Sequence, residues 1–223
     1  MRGLVLLLAL AAVVGLAASL KRRSDRKNWV VNLTKDIKLK WKLVKDKKSK
    51  DSVEFTIKAK TKGWIALGFN KKGKEMAGAD MIVGWIDPKT VTGTKKGIGA
   101  VLTDRHATGN TFPPRDKSDD VFFKGGRKTG GYTTLTFQRR LNTCDKQDIV
   151  IGSDKLEVLW AWSDDVPKNK DDIKYHNNKR GHGSLRFFDR SEDPYVRCAG
   201  ASLRALVSAL LLVLIATCAA TFY

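Results

Sequence analysis

Gly63–Trp64–Ile65–Ala66–Leu67–Gly68–Phe69–Asn70 is a short run whose residues are apolar at odd and even positions alike. It is too short for a globular helix, starts at a glycine, and stops at Asn70–Lys71–Lys72. Such a run reads as a strand buried on both faces. Leu156–Trp162 has the same character, so both belong at the centre of a sheet. Around them the pattern changes. Ile37, Leu39, Trp41 and Leu43 alternate with lysines, and Val53, Phe55, Ile57 and Ala59 repeat that period of two, the mark of strands with one wet face. Further short runs follow at Met81–Ile86, Gly97–Leu102, Val121–Lys124, Tyr132–Phe137, Asp148–Ile151 and Ser184–Phe188. Each is bounded by Gly, Pro, Asn, Asp or Lys, and no amphipathic helix is legible between Trp29 and Phe188. The fold expected is all-β, an antiparallel β-sandwich of about ten strands. Pro113–Pro114 bars a strand within the longest irregular stretch, Asp104–Lys117.

The ends of the chain are different in kind. Met1–Arg2–Gly3 precedes an unbroken apolar stretch, Leu4–Ala18, closed by small residues and followed by Lys21–Arg22–Arg23. A basic start, an apolar core and a small-residue exit describe a secretory signal peptide over residues 1–19. Residues 20–28 are then a basic segment, 29–188 the sandwich, 189–202 a polar stalk, and 203–223 a hydrophobic tail. The uncharged run from Ala205 to Tyr223 is long enough to span a bilayer, and Cys198–Ala199–Gly200–Ala201–Ser202 just before it offers small residues suited to lipid-anchor transfer, with Cys198, Ala199 and Gly200 as candidate sites. A GPI anchor, a single-pass tail and a buried helix all remain open at this level.

The 223 residues carry 42 Lys+Arg against 23 Asp+Glu, a formal net charge of +19. Behind a signal peptide the relevant polyanions are acidic glycans, sialylated surfaces and lipid headgroups rather than nucleic acid. The plain alternative is a solvated lysine surface, as in the cluster Lys45, Lys47, Lys48 and Lys50. Cys218 lies in the tail, which leaves Cys144 and Cys198 as an even pair in an oxidising compartment. They read as one disulfide, contributing roughly 4 kcal/mol through loop closure. Asn32–Leu33–Thr34 is a glycosylation sequon.

No phosphate-binding glycine loop, nucleophile elbow or HExxH motif is present. His106, His176 and His182 are all the imidazoles the chain has. The carboxylate pairs Asp119–Asp120, Asp164–Asp165 and Asp171–Asp172 fall in turns, where Asp serves backbone hydrogen bonding. No catalytic residue and no metal site emerges from these patterns.

Several ordered motifs resemble the DOMON domain, and most closely the N-terminal domain of dopamine beta-hydroxylase-like monooxygenases. They are Gly63–Asn70, Met76–Trp85, Asp104–Arg105–His106, Pro113–Pro114, Leu141–Asn142–Thr143–Cys144–Asp145, Val158–Ala161, Tyr175–His176, Arg180–Gly181 and Ser184–Leu185. The resemblance implies a sandwich over about Trp29–Phe188. It does not imply copper hydroxylation by this chain alone, since that chemistry belongs to two further domains and needs more histidines than three. Other members of the family bind b-type haem between the two sheets through one Met and one His. Met76 matches the first ligand and His176 the second, with His182 as substitute. Met81 is expected in a strand core, while Trp64, Phe69, Ile82 and Trp160 are expected to line a pocket. Such a pair holds six-coordinate iron suited to electron transfer. The function expected first is nonetheless a membrane-anchored extracellular binding or interaction module, for an acidic glycan or a cell-surface protein, with Trp29, Trp41 and Trp162 as conceivable exposed aromatics; the haem-binding electron-transfer domain is its alternative.

Overall fold

The computed structural model describes residues 28–44, 52–87 and 99–189. The expected signal peptide, anchor residues Cys198, Ala199 and Gly200, and C-terminal tail lie outside the described residues. Ten strands run in chain order: β1 Trp29–Asn32, β2 Ile37–Val44, β3 Ser52–Ala59, β4 Trp64–Asn70, β5 Asp80–Ile86, β6 Ala100–His106, β7 Val121–Thr129, β8 Tyr132–Arg140, β9 Leu156–Trp162 and β10 Arg180–Leu185. They form two antiparallel five-stranded sheets, ordered β1-β2-β3-β8-β7 and β10-β9-β4-β5-β6. Among the described residues there is no helix. The sandwich expected from the alternation is the fold observed.

Residues whose side chains turn between the sheets make one core. Leu39, Phe55, Ile57, Leu135 and Phe137 come from the first sheet, and Ile65, Leu67, Phe69, Ile82 and Val158 from the second. Phe55 and Phe187 meet edge to face with ring centroids 5.6 Å apart, and Phe69 meets Phe187 similarly at 5.7 Å. Burial of this kind, at about 25 cal/mol per Å² of apolar surface, is what holds two sheets face to face. β4 and β9 are interior strands of the second sheet, as their two-sided apolarity requires.

Several elements differ from the sequence reading: β1 was not read as a strand, β7 and β8 run on to Thr129 and Arg140, and three further differences have a reason in the packing. Asp148–Ile151 is a loop whose Ile149 and Ile151 are buried, with Ile151 N–H bonded to the Leu141 carbonyl, so its apolar pattern reflects anchoring rather than pairing. β6 reaches through Asp104, Arg105 and His106, which the sequence had placed in irregular chain. The last strand is Arg180–Leu185, not Ser184–Phe188. Its Gly181 and Gly183 disguise it, yet a Cβ at Gly181 would stand 2.7 Å from the Trp160 ring, so the strand is glycine-bearing because that ring lies under it.

A cavity on the outer face of the second sheet

The second sheet buries its outer face as well. Trp64, Ala66, Val83, Trp85 and Ala161 form one cluster there, and Ala79, Met81, Ala107 and Leu159 another. The register sets Ala66 beside Val83 on one side and Ala161 on the other. Small side chains in the middle and large ones around them leave a hollow. Three loops roof it: the β4–β5 loop, the stretch after β6, and the stretch between β9 and β10. The result is a cavity of about 740 Å³, within the ~300–1,000 Å³ usual for small-molecule sites.

Met76 and His176 both line this cavity, Met76 from the first loop and His176 from the third. The loop around Met76 is pinned by Asn70, which closes β4. Its side-chain amide donates to the carbonyls of Glu75 (2.7 Å) and Ala77 (3.1 Å), and its carbonyl accepts from Lys72 N–H (2.8 Å). Gly78, at φ +77°, carries the turn that lets Ala79 N–H reach the Met76 carbonyl at 2.9 Å. Buried Arg105 ties the other two loops together, donating to the carbonyls of Pro113 and Lys170. Trp64 Nε1 donates to the Lys174 carbonyl at 3.1 Å, holding the third loop against the sheet.

His176 is 8% exposed, packed against Tyr175 with ring centroids 4.3 Å apart and planes tilted by 38°, and set edge-on to Trp64 at 6.4 Å. Its Nδ1 lies 2.8 Å from the Asn177 carbonyl oxygen. A carbonyl only accepts, so the ring proton is on Nδ1 and Nε2 keeps its lone pair. Burial pushes the imidazole below its usual range; the Asn177 carbonyl opposes this and Arg180 adds to it. A neutral ring oriented by a backbone carbonyl is what a metal-ligating histidine needs. A thioether, a bare imidazole nitrogen and an apolar floor therefore suit a haem iron chemically. Lys74, Lys174 and Arg180 line the same cavity against a single acid, Glu75, which suits an anionic ligand.

The expected lining is only half right. Trp64 and Trp160 line the cavity, but Phe69 and Ile82 point into the inter-sheet core. The cavity that Met76 and His176 line is thus outside the sandwich, not between its sheets, because small residues make room on the outer face while aromatics fill the inner one. Met81 is buried in its strand as expected, yet it also forms part of the cavity floor. His182 lines the cavity with its Nδ1 committed to Glu157 at 2.6 Å. Trp41 is core, donating from Nε1 to the Phe187 carbonyl and stacked on half-buried Trp29. Trp162 is half-buried too, so these three rings form no exposed platform. Asn32 is exposed at the end of edge strand β1. Cys144, at φ 68°, is exposed in the loop after β8, and Cys198 lies outside the described residues. Asn70 and Arg105 went unmarked as site residues, although a polar residue closing an all-apolar strand was a readable signal for Asn70.

The DOMON domain model matches residues 33–163. MOXD1 homolog 2 of Drosophila melanogaster is 31% identical over 159 residues, which is 70% of this chain and 17% of that protein. DBH-like monooxygenase protein 1 of Mus musculus is 28% identical over 139 residues, 62% of this chain and 21% of that protein. The chain thus spans about a fifth of the length of these relatives. Among solved structures, the cytochrome b domain of pyranose dehydrogenase from Coprinopsis cinerea superposes with a TM-score of 0.50 at 16% identity. The superposition covers 67% of this chain and 76% of that domain, a likeness of fold alone.

Proposed function

The chain belongs to the DOMON family, and on that premise we propose that it is a ligand-binding module whose outer cavity takes a b-type haem held by Met76 and His176. One observation carries this reading: two loops far apart in sequence bring a thioether and an imidazole with a free Nε2 to the same apolar hollow. Such a group supplies one-electron transfer through six-coordinate iron. The chain's own part is to orient the ligands, through Asn70 and the Asn177 carbonyl, and to keep water off the apolar floor. Lys74, Lys174 and Arg180 would meet acidic substituents of the ligand at the mouth.

Haemin titrated into the purified full chain should give a low-spin, six-coordinate spectrum. Met76→Ala should convert it to high spin, and His176→Ala should abolish stable binding. No Soret shift, or a spectrum indifferent to both substitutions, would discard the haem. A second reading rests on Lys38, Lys40 and Lys42, which line up at exposed positions of β2 and favour an acidic glycan on the first sheet. Heparin retention that survives Met76→Ala but falls when two of these lysines become Ser would support it. We place the module on the extracellular face of a membrane, held by a GPI anchor or a single span after the Cys144–Cys198 disulfide. Release by phosphatidylinositol-specific phospholipase would identify the lipid form.

A further inference from the structure

The five strands of the first sheet contain one carboxylate, Glu54, and it is ion-paired to Lys42 at 2.8 Å. The other charged side chains on the outer face of that sheet are cations. Strand register sets the outward residues in rows that cross four neighbouring strands. One row runs from Lys38 of β2 through Lys58 of β3 and Thr134 of β8 to Arg127 of β7. The next runs through Lys40, Thr56, Thr136 and Gly125. Lys38, Lys40, Lys58 and Arg127 are exposed, and so is Lys124 at the bulge of β7. Thr56 and Thr136 share a hydrogen bond at 3.0 Å, and with Thr134 and Gln138 they make a half-buried floor of hydroxyls and one amide. Long cationic side chains on β2 and β7, with short polar ones between them, form a shallow trough. Neighbouring strands lie ~4.8 Å apart, so its two cationic sides stand roughly 14 Å from each other.

Lys38 and Lys58 stand directly opposite each other in register, and like charges so placed destabilise a sheet. Lys58 eases this only by leaning over the Tyr132 ring, with Nζ 4.2 Å from its centroid. An anion laid on the face turns the repulsion into attraction. We propose that the trough holds a linear sulfated glycan, running along β3 and β8 with its acid groups reaching the cations of β2 on one side and of β7 on the other. The proposal rests on the acidic-glycan reading of β2 above and extends it in two respects: β7 is half of the site, and sulfate is the group it prefers. Cations on both sides of one chain call for acid groups on both sides of it. A glycan bearing carboxylates alone is too sparsely charged to reach both, whereas sulfates on several positions of the sugars do so. Thr56, Thr134, Thr136 and Gln138 supply hydrogen bonds for sugar hydroxyls, and they offer an acidic lipid surface no apolar side chain to insert. None of these residues lines the outer cavity of the second sheet, so both faces can be occupied together.

The test is binding of the purified full chain to immobilised heparin at about 0.15 M salt. Heparin should bind, and hyaluronan, acidic but unsulfated, should bind at least about tenfold more weakly, as should phosphatidylserine vesicles. Lys38→Ser with Lys40→Ser, on β2, and Lys124→Ser with Arg127→Ser, on β7, should each weaken heparin binding about tenfold. Lys146→Ser with Lys155→Ser removes the same charge from exposed positions outside this sheet and should change binding less than about twofold. All three paired variants should melt within about 3 °C of the wild type, which separates lost binding from a damaged fold. Unchanged heparin binding by the β7 variant would overturn the trough and confine the glycan to β2. No heparin binding by the wild type would remove the glycan reading itself. Hyaluronan or vesicles bound as tightly as heparin, or a control pair as damaging as the other two, would mean that bulk charge alone binds and would overturn the proposal as well.

Discussion

The two sheets are built from equal numbers of strands and treat their outer faces in opposite ways. In the first sheet, β2 reads buried–exposed–buried–exposed, with Lys38, Lys40 and Lys42 outward. In the second, β4 and β5 are buried at every position. The first sheet therefore has one core face and one wet face, while the second is a layer between the common core and a roof of loops. An all-apolar strand in an antiparallel sheet signals a covered outer face, and that cover is where this protein keeps its cavity. Sheet one supplies the counterweight and sheet two the site.

The largest effects should come from testing that asymmetry directly. Phe55→Ala and Phe69→Ala, facing each other across the core, should each cost about 3–5 kcal/mol in urea unfolding. Trp64→Ala, on the outer face of the second sheet, should approach that range, because its ring packs on Ala66, Val83 and Ala161 and its Nε1 holds the His176 loop. Lys40→Ala, the outward position of the first sheet, should stay within ~0.5 kcal/mol. Equal costs for Trp64→Ala and Lys40→Ala would dissolve the distinction between the faces.

Gly181→Ala should come next, at about 1–3 kcal/mol, since the new methyl meets the Trp160 ring at 2.7 Å and the ring is fixed in the core. That glycine also shows why the sequence was legible in some places and silent in others. β2, β3, β4 and β9 declare themselves because each side chain's environment is set by its own strand's period. β10 hides because its residue types answer to Trp160 of a neighbouring strand. Asp148–Ile151 misleads in the other direction: Ile149 and Ile151 are buried as a strand's would be, but they anchor a loop. Met76 and His176 were visible through family resemblance, and the fold brings both to one cavity. The face they occupy was not visible, for it depends on Ala66, Val83 and Ala161 meeting in register. The meeting of Asp80, Asp104 and Asp148, whose carboxylates bring one oxygen each within 4.8 Å of the others, was hidden altogether. Each aspartate reads singly as an ordinary strand end or turn residue, and only the pairing of β5 with β6 and the return of the loop before β9 bring them together.

Ala66→Leu fills the hollow from its floor. A leucine there has space above it, so stability should change by less than about 1.5 kcal/mol in either direction. Haemin binding should nevertheless be lost. Full haemin binding by Ala66→Leu would move the ligand off the outer face and remove the functional meaning of the covered sheet.

The smallest effect concerns the roof itself. Asp164 clasps the loop that carries His176: it accepts from Lys179 Nζ, from Thr61 Oγ1 at 3.1 Å and from Lys62 N–H at 3.2 Å. The hydrogen bond from Lys179 is the main cause holding its carboxyl below the ordinary value of 3.8, with the Lys62 amide and the Thr61 hydroxyl assisting against a modest cost of burial. A carboxyl whose folded value is depressed adds stability above the unfolded value, and loses it as pH falls through the folded one. Asp164→Asn should therefore cost stability at pH 7 and cost progressively less below about pH 4, where the wild-type carboxyl itself takes up a proton. The side chain is 56% exposed, so solvent and salt screen the pair and the loss at pH 7 should be only about 0.2–1 kcal/mol. Raising the salt concentration should shrink it further. Urea midpoints of the two chains from pH 3 to pH 7 would show the curves converging at the acid end. A gap that stayed the same from pH 7 to pH 3 would mean that the clasp acts through its neutral hydrogen bonds, and that charge contributes little to keeping the third loop over the sheet.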